Sequence, residues 1–550
     1  MEAEETIPSQ RATHSIPIKQ SCCSHVPSYQ VRIIKSKGAI LILFWFAMLW
    51  SFWTTKNILV PAAFKESIWY QRVFPHLNYV FVYPLAGWLA DVRFGRYNVM
   101  HTSLWLMWGG ALVSSVVSVV QSVTHSVPDG VSTTILVITN IFMFCGFAGF
   151  HVNVIPFGTD QLLEATSREV SAFIHWLIWV WYAGIFIGLT VFGTELLMKC
   201  TLIESGFLKP FPLLSLTLAL SSDYVFRGWL NTEPNSQNPL KTVISVLKYA
   251  ASHKQPERRS AFTYCEDLPP QRIDFGKTKY GGPFTTEEVE DVKTFLRILA
   301  VVLCAAAFLV ASNNSAYYFH KDHFRSNTNL SSCLVAVTSL GYSYQLFVVV
   351  SIPVYELLIY PFFQRWTPSM LKRLGLGIVA ALVCSVLLFS VDTAGHALDH
   401  SVPCMFSTNS SSPTLNIDAT WLTVVFNIFS ALYQMLYFIA GYEFLCAQSP
   451  YNMKGLLFGC YYSMRGIFQL LADVWYIGWT QGYGNVGRAN LVTYPSCGSW
   501  FYFSTTVMGV LGLVVFCLVA KWYKMREREE PANERRFVES YYNKYVGSEV

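Results

Sequence analysis

This 550-residue sequence contains little charge: Asp, Glu, Lys and Arg together make up 13% of the chain, whereas 53% is hydrophobic. Soluble proteins carry about 25% charged residues, so the composition predicts a protein embedded in a lipid bilayer. The net charge of +5 is small and spread over the loops, which argues against a basic surface for nucleic acid. The 13 cysteines show no metal-ligand spacing, and we expect neither a metal site nor a cofactor.

Enzyme signatures are missing as well. The sequence has no phosphate-binding loop, which argues against an ATP-driven pump, and no Gly-x-Ser-x-Gly or paired-histidine motif of an intramembrane hydrolase. It also has no cleavable signal peptide, because a long polar stretch precedes the first apolar segment near Ala39. We therefore expect a membrane protein that is not an enzyme and that starts with a disordered cytoplasmic tail.

Long apolar segments, in contrast, are abundant. Ten are close to the roughly 20 residues that a helix needs to cross the hydrocarbon core. Two weaker segments, 73–90 and 210–224, contain prolines. The sequence thus predicts an all-α membrane protein with twelve transmembrane helices in two bundles of six. The predicted units are the tail at 1–37, the bundles at 38–224 and 294–521, a cytoplasmic linker at 225–293 and a cytoplasmic tail at 522–550.

Basic residues are concentrated in alternate loops. With both ends in the cytoplasm, the cytoplasmic loops hold most Lys and Arg, in agreement with the positive-inside rule. The opposite loops then contain Asn329 and Asn409, each in an Asn-x-Ser sequon, as candidate glycosylation sites. Cys333 and Cys404 lie in the same outer loops, and the sequence leaves open whether they pair.

A charged motif follows the second predicted helix, with the sequence Gly87-Trp-Leu-Ala-Asp91-Val-Arg93-Phe-Gly95-Arg96. An aspartate and two arginines on a tight glycine turn between helices are candidates for a charge latch that opens and closes as the helices move. A solvated loop with a glycine turn is the alternative interpretation.

Further motifs follow in order along the chain. Asn153-Val-Ile-Pro-Phe-Gly-Thr-Asp160-Gln comes at the end of the fourth predicted helix, and Glu443-Phe-Leu-Cys-Ala-Gln-Ser-Pro lies near the tenth. With these motifs the chain resembles the proton-coupled oligopeptide transporter family of the major facilitator superfamily, most closely its peptide/histidine carriers, over about residues 40–522. The resemblance implies two bundles that alternately open a central cavity, substrates that are short peptides or amino-acid-like solutes, and usually proton coupling.

The resemblance also indicates candidate substrate-binding residues. In the family a glutamate at the position of Glu443 faces the cavity and is linked to the amino end of the substrate. We expect this role for Glu443, and a buried pair with a basic residue such as Arg465 is the alternative. His151 replaces a family lysine, and Tyr182 stands where the family often has asparagine. Together with Asn153, these residues form the predicted substrate site.

A second set of residues is expected to act in gating or in structure. Glu356 lies near the predicted cytoplasmic end of its helix and close to Arg365, which favours a gate ion pair over a substrate ligand. Arg465 and Asp473 are eight residues apart in one helix, too far for a direct bond. The complete set is Asp91, Arg93, Arg96, Asp160, Glu356 and Arg465.

The first predicted helix departs from the family pattern. The family has Glu-x-x-Glu-Arg there, which holds protons and pairs with substrate, and the corresponding residues are Phe44, Ala47 and Met48. Because apolar side chains bind no proton, the sequence predicts weak or absent proton coupling. His151 is the candidate for a remaining proton site, since histidine titrates near neutral pH.

The functional hypothesis is a secondary-active or facilitative transporter of small peptides, histidine or a related organic solute. The alternative is a nutrient sensor or scaffold that keeps the fold without transporting. The sequence ends in Ser548-Glu-Val550, a type of tail that adds to the sheet edge of a PDZ domain, so a PDZ scaffold is a candidate partner. The expected location is the plasma membrane or an endolysosomal membrane.

Overall fold

A computed structural model describes residues 34–55, 74–124, 129–162, 167–192, 211–232, 238–253, 270–307, 343–363, 368–398, 419–487 and 497–524. These segments are almost entirely helical, which confirms the all-α class predicted from the sequence. Within them, eight helices are long and apolar enough to cross a membrane by length and composition. The described parts of the other four predicted spans are helical as well.

The helices of the N-terminal half pack into one bundle. The first helix, α1, packs against α5 and α6, and α3 packs against α4 and α6. Two π-helical turns interrupt α2, at Asn78–Val82 and Ala90–Phe94. The helices are α1 Lys37–Thr55, α2 running from Phe74–Leu77 through Tyr83–Leu89 to Ala90–Phe94, α3 Arg96–Thr124, α4 Asp129–Asp160, α5 Ser167–Phe192 and α6 Phe211–Phe226.

The C-terminal half forms a second bundle, preceded by the linker helix α7. The two bundles meet along two seams. The first seam joins α2 to α12, and the second joins α5 to α9 and α11. The helices are α7 Pro239–Ser252, α8 Thr286–Ala307, α9 running from Ser343–Val354 through Tyr355–Ile359 to Tyr360–Phe363, α10 Met370–Leu398, α11 running from Ala419–Gln434 through Met435–Ile439 to Ala440–Gln448, α12 Lys454–Gly487 and α13 Cys497–Trp522.

The linker lies on the side of the molecule where α1 begins and where α4 and α6 end, which we call the linker side. Ser36 Oγ donates to the carbonyl of Gln161 at 2.9 Å, and Gln161 Oε1 accepts from the backbone N–H of Asn231 at 2.7 Å. These bonds connect the start of α1, the end of α4 and the segment that follows α6. In α7, the Asn238 side chain caps the first turn before Pro239, a common arrangement for a helix start.

A network of charged residues joins the linker to the first turns of α8. Lys277 Nζ lies 2.7 Å from Asp274 Oδ1 and 2.5 Å from Glu290 Oε1. Lys293 pairs with the same two carboxylates. Burial opposes ionisation of Asp274, but the hydrogen bonds from both lysines outweigh it and lower the pKa of that carboxyl.

Proline removes a helix hydrogen bond on the first seam, and the other bundle replaces it. Pro84 of α2 has no N–H, so the carbonyl of Val80, one turn earlier, loses its usual donor. Ser463 Oγ of α12 donates to that carbonyl at 3.0 Å. The π-helical turn Asn78–Val82 lies immediately before this point, and such turns accommodate a local change in the helical hydrogen-bond ladder.

The second seam repeats this arrangement. Pro353 in α9 leaves the carbonyl of Val349 without its helix donor. Trp179 Nε1 of α5 donates to that oxygen at 2.9 Å. A backbone carbonyl inside the membrane needs a partner, because the hydrocarbon offers none. Each bundle therefore completes the backbone hydrogen bonding of the other.

Glycine brings α2 and α12 into backbone contact on the linker side. A Cβ added to Gly87 would lie 2.2 Å from the carbonyl oxygen of Gly455, and a Cβ on Gly455 would lie 2.8 Å from the carbonyl oxygen of Gly87. No larger residue fits at either position without separating the helices. Small residues generally allow this close approach between membrane helices.

Candidate functional site

A buried ion cluster joins the two bundles on the linker side. Arg96, at the start of α3, donates to Asp91 Oδ1 from Nε at 3.1 Å and from Nη2 at 2.9 Å. Its Nη1 lies 2.5 Å from Asp160 Oδ2 at the end of α4. The other oxygen of Asp91 accepts from the backbone N–H of Leu456 at 2.9 Å. The carboxylate thus lies at the N-terminus of α12, where the helix dipole favours negative charge.

The turn that carries this cluster depends on one glycine. Gly95 has φ 78°, a conformation that L side chains rarely adopt, and it separates the end of α2 from Arg96. Lys454 Nζ lies 3.9 Å from Asp160 Oδ1, which adds a contact from the second bundle. Arg93, predicted with the same group, is exposed, and its guanidinium lies over the Phe94 ring, 5.8 Å from the ring centroid. Of the three residues predicted for the latch, the structure brings together Asp91 and Arg96 and leaves Arg93 outside, and it adds Asp160 to the cluster.

Glu443 is buried in α11 and is bound on both carboxylate oxygens. Arg373 Nη2 of α10 lies 2.5 Å from Oε2. The Ser171 hydroxyl of α5, in the other bundle, donates to Oε1, and His175 Nδ1 lies 3.7 Å from the same oxygen. Glu443 is thus paired with a basic residue, as the alternative interpretation has it, but that residue is Arg373 and not Arg465.

Glu356 lies in the π-helical turn of α9 and is buried. Its Oε1 is 3.4 Å from His175 Nδ1, and that nitrogen is also 2.8 Å from the carbonyl of Ser171. The Tyr355 ring stacks on the His175 ring with 5.4 Å between their centroids. Arg365, the predicted partner of Glu356, lies outside the described residues, so the predicted gate pair stays a prediction.

A cavity of about 290 Å³ lies beside this group, between the second seam and the start of α10. Its polar lining includes the His175 imidazole and the Arg373 guanidinium. The rest of the lining is largely apolar or aromatic and comes from Tyr355, Ile359, Tyr360, Pro368, Leu376, Met435, Leu436, Ile439 and Ala440.

His151 lies on α4 in a box of aromatic rings. Its Nδ1 is 3.0 Å from Tyr83 Oη, and the Phe46 ring stacks on the imidazole with 5.8 Å between centroids. Within the described part of the chain, its Nε2 is buried and has no hydrogen-bond partner. The other rings around it are those of Trp50, Phe147, Trp181 and Tyr462.

The two remaining predicted substrate residues make different contacts. Asn153 is buried, and its Nδ2 donates to the carbonyl of Gly149 in its own helix at 2.9 Å. Tyr182 Oη donates to Gln434 Oε1 of α11 at 2.9 Å, across the second seam. Tyr182 therefore joins the bundles, whereas Asn153 bonds within one helix.

Arg465 lies on α12, and its guanidinium is over the Phe438 ring, 4.8 Å from the ring centroid. Among the described residues, no carboxylate forms an ion pair with Arg465, and its Nε is buried without a hydrogen-bond partner. Asp473, two turns further along α12, pairs instead with His76 of α2 at 2.9 Å. The predicted separation of Arg465 from Asp473 is confirmed.

Sequence reasoning missed several residues of the seams. The sequence indicated no specific role for Arg373, His76, Ser171 or Gln434. Their partners lie between 70 and 397 residues away along the chain, so no local spacing could indicate them. The predicted sites Asn329 and Asn409, the cysteines Cys333 and Cys404 and the tail Ser548-Glu-Val550 lie outside the described residues.

Comparisons with known proteins agree on one family. A family model, PTR2, described as the POT family, matches residues 97–487. Solute carrier family 15 member 3 of Mus musculus is 22% identical over 507 residues, which cover 82% of this chain and 84% of that protein. Protein NRT1/PTR FAMILY 2.9 of Arabidopsis thaliana is 21% identical over 502 residues, covering 80% and 83% of the two chains.

Solved structures show the same fold. An auto-inhibited POT family peptide transporter matches with a TM-score of 0.62 at 17% identity, over 90% of this chain and 99% of that one. The POT family transporter PepTSo matches with a TM-score of 0.59 over the same shares. These likenesses confirm the predicted major facilitator fold. The family match runs from the start of α3 to the end of α12 and includes residues of both bundles, and the chain therefore belongs to the POT family of transporters.

Proposed function

We propose that this protein carries small peptides, histidine or a related organic solute across a membrane by alternating access. The observation that carries the proposal is the set of buried polar contacts between the bundles. Asp91 bonds to the first turn of α12, and Glu443 bonds to Ser171 of α5. Buried charges of this kind are costly in a membrane and usually mark a functional pathway. They give the two bundles contacts that can break and reform as a cavity opens on either side.

Glu443 is the proposed site for the amino end of a substrate. Its carboxylate now binds Arg373 at 2.5 Å, so an ammonium group would take the place of that guanidinium. The relatives support a solute-carrier role in general. The particular substrate is inferred from Glu443 and from the aromatic surroundings of His151.

We place the linker side in the cytoplasm. The loops on this side contain the larger share of basic residues, as the positive-inside rule requires. The buried Asp91–Arg96–Asp160 cluster then lies at the cytoplasmic end of the bundles and acts as a latch. Proton coupling is proposed to be weak, because α1 carries Phe44, Ala47 and Met48 where the family has charged residues.

Uptake into proteoliposomes tests the proposal. Purified protein is reconstituted, and entry of labelled dialanine and of labelled histidine is followed with and without an inward pH gradient. We expect saturable entry that unlabelled substrate inhibits and that the gradient changes little. Protein-free liposomes are the control. Binding of the same solutes without any flux would contradict transport and would support a sensor instead.

A further inference from the structure

Arg465 carries a positive charge that the described residues do not neutralise. The nearby acidic groups have partners of their own: Asp473 pairs with His76, and Glu443 pairs with Arg373. Arg465 is eleven residues along α12 from Lys454, a distance of about 17 Å at 1.5 Å per residue. This is close to the middle of a hydrocarbon core of about 30 Å. An unpaired charge at that depth is expensive to keep and indicates a ligand of opposite charge.

The surroundings of Arg465 are rich in hydroxyl groups from both bundles. In the described part of the chain, seven tyrosines lie within electrostatic range of the guanidinium. A phenol is both donor and acceptor, so these side chains can donate to an anion without adding negative charge. They are Tyr79 and Tyr83 of α2, Tyr433, Tyr437 and Tyr442 of α11, and Tyr461 and Tyr462 of α12.

Several polar atoms in this region are buried and lack partners among the described residues. Arg465 Nε, Tyr461 Oη and His151 Nε2 are among them. His151 lies within electrostatic range of Arg465, on the opposite bundle. Leaving a buried polar atom unsatisfied costs about 1–3 kcal/mol, and more if it is charged. Their concentration in one region points to a group that arrives from outside and accepts hydrogen bonds.

The position of these residues fits a site that opens during transport. Tyr83 and His151 belong to the first bundle, whereas Arg465 and Tyr461 belong to the second. The α2–α12 seam between them parts when the bundles separate, which exposes the guanidinium and the hydroxyl groups together. Aromatic rings, including Phe438 beneath Arg465, are available for the organic part of a ligand.

We propose that Arg465 binds the carboxylate of the transported solute, with Tyr461 and His151 as further hydrogen-bonding groups, so that the protein selects small organic anions and zwitterions. This inference rests on the proposed transport function. The first helix supplies no competing charge at Phe44, Ala47 or Met48. The guanidinium is suited to this role, because its planar fork matches a carboxylate and its charge persists at all relevant pH values.

Matched pairs of acid and neutral probes test the charge requirement. We compare benzoate with benzamide, and N-acetyl-dialanine with its methyl ester, on the full-length protein in detergent. Dissociation constants come from calorimetry and from the shift in the thermal unfolding midpoint. We expect each acid to bind at least tenfold more tightly than its neutral partner, as the loss of one charge-assisted contact predicts. Equal binding of acid and neutral forms, or no binding of either acid, would overturn the inference.

Substitutions then assign the charge to Arg465. Arg465→Gln should weaken benzoate binding roughly ten- to hundredfold and bring it to the level of benzamide. Arg465→Lys keeps the charge without the fork and should lose less. Tyr461→Phe removes only a hydroxyl and serves if Arg465→Gln does not fold. Lys248→Gln, an exposed residue of the linker helix, is the control and should bind as the wild type does.

The two proposals fail in different ways. Wild-type affinity for benzoate in folded Arg465→Gln, or in both Arg465→Lys and Tyr461→Phe, would overturn the anion site, whatever the flux. Acid-selective binding that depends on Arg465, together with no flux in proteoliposomes, would uphold the site and contradict transport.

Discussion

The two oxygens of Glu443 are bound by residues of different bundles, and this determines how a substrate can reach the carboxylate. Arg373 belongs to the same bundle as Glu443, whereas Ser171 belongs to the other. An ammonium group that binds Glu443 competes with Arg373 for the charge. Substrate binding would then replace a contact within the second bundle and leave the bond from Ser171 across the second seam in place.

Glu443→Gln should therefore weaken the binding of solutes with a free amine. The loss of one charge-assisted contact corresponds to about 1.5–3 kcal/mol, or at least tenfold in the dissociation constant. Dialanine measures the effect, and N-acetyl-dialanine, which has no free amine, should bind the variant and the wild type alike. Glu287→Gln, an exposed residue at the start of α8, is the control. Unchanged affinity for dialanine in a folded Glu443→Gln protein would refute the substrate role.

His151 is the candidate for any remaining proton site. Its ring is enclosed by aromatic side chains and hydrogen-bonds to Tyr83 Oη at 3.0 Å. If it takes up the proton, His151→Gln, which keeps a polar side chain, should remove the pH dependence of uptake. Initial uptake rates between pH 5.5 and 8 provide the measurement. A pH dependence of wild-type size in the variant would direct attention to His175, which lies near two carboxylates.

Individual residues were predictable where a motif surrounds them. Asp91 and Arg96 share a glycine turn, and the sequence indicated both. The partners of Arg373 and His76 come from distant helices, and only the packing of the two bundles brings them together. The lack of a carboxylate partner for Arg465 among the described residues was likewise not predictable, because it depends on which distant carboxylates find other partners.

At the scale of helices, the glycine contact between α2 and α12 sets how closely the latch can shut. Gly455→Ala would place a Cβ 2.8 Å from Asp91 Oδ1 and from the carbonyl of Gly87. We expect the latch to open on the linker side, because neither the buried carboxylate nor the backbone can move aside without separating the helices. Gly109→Ala is the matched control, since nothing lies within 4 Å of its added Cβ.

Thiol labelling measures this opening. Cys446 lies in α11, on the linker side of the second bundle, and is only partly exposed. Its labelling rate, followed by peptide mass spectrometry, should rise several-fold in Gly455→Ala and stay at the wild-type value in Gly109→Ala. A wild-type rate in both variants would mean that the glycine contact does not control the latch.

The pKa shifts in the linker network indicate a pH range over which docking of the linker should not change. The folded-state pKa of Asp274 lies below its unfolded value, so its stabilising contribution is complete above about pH 4 and is lost as the pH falls further. The pKa of Glu290 is lowered as well, so its contribution depends on pH in the same way. For Lys277 the hydrogen bonds and charges of both carboxylates outweigh burial and raise the pKa, so its contribution is present below about pH 10 and is lost at higher pH. Docking of the linker should therefore stay constant between pH 5 and 8.

Hydrogen exchange of the linker checks this expectation. Asp274→Asn leaves Lys277 and Lys293 with Glu290 as their shared carboxylate, and amide exchange at 272–280 should rise several-fold. In the wild type, protection corrected for intrinsic rates should be flat from pH 5 to 8. A marked loss of wild-type protection within that range would show that another titrating group holds the linker.

Helices were more predictable than their irregularities. Apolar segments of the right length indicated α1, α3, α4 and α13, because crossing a bilayer requires such segments. The π-helical turn before Pro84 was not predictable, since a proline signals a missing donor but not the residue that replaces it. Ser463, which does so, lies 383 residues away.

At the scale of the whole molecule, the first seam is held at several levels. Asp91 binds the first turn of α12 on the linker side, Ser463 binds the Val80 carbonyl further along, and His76 pairs with Asp473 beyond it. On the outer surface of the second bundle, Leu511 and Leu518 of α13 are more than half exposed. Apolar side chains on that surface suit contact with lipid.

The carbonyls of Val80 and Val349, which lack a helix donor, need another hydrogen-bond donor when the bundles separate. When a seam parts, the oxygen of Val80 or Val349 loses Ser463 or Trp179 and would remain unsatisfied, at about 1–3 kcal/mol each. Water that enters the gap removes this penalty. Separation of the bundles is therefore a hydration step, and impermeant osmolytes that withdraw water should slow it even when substrate is saturating.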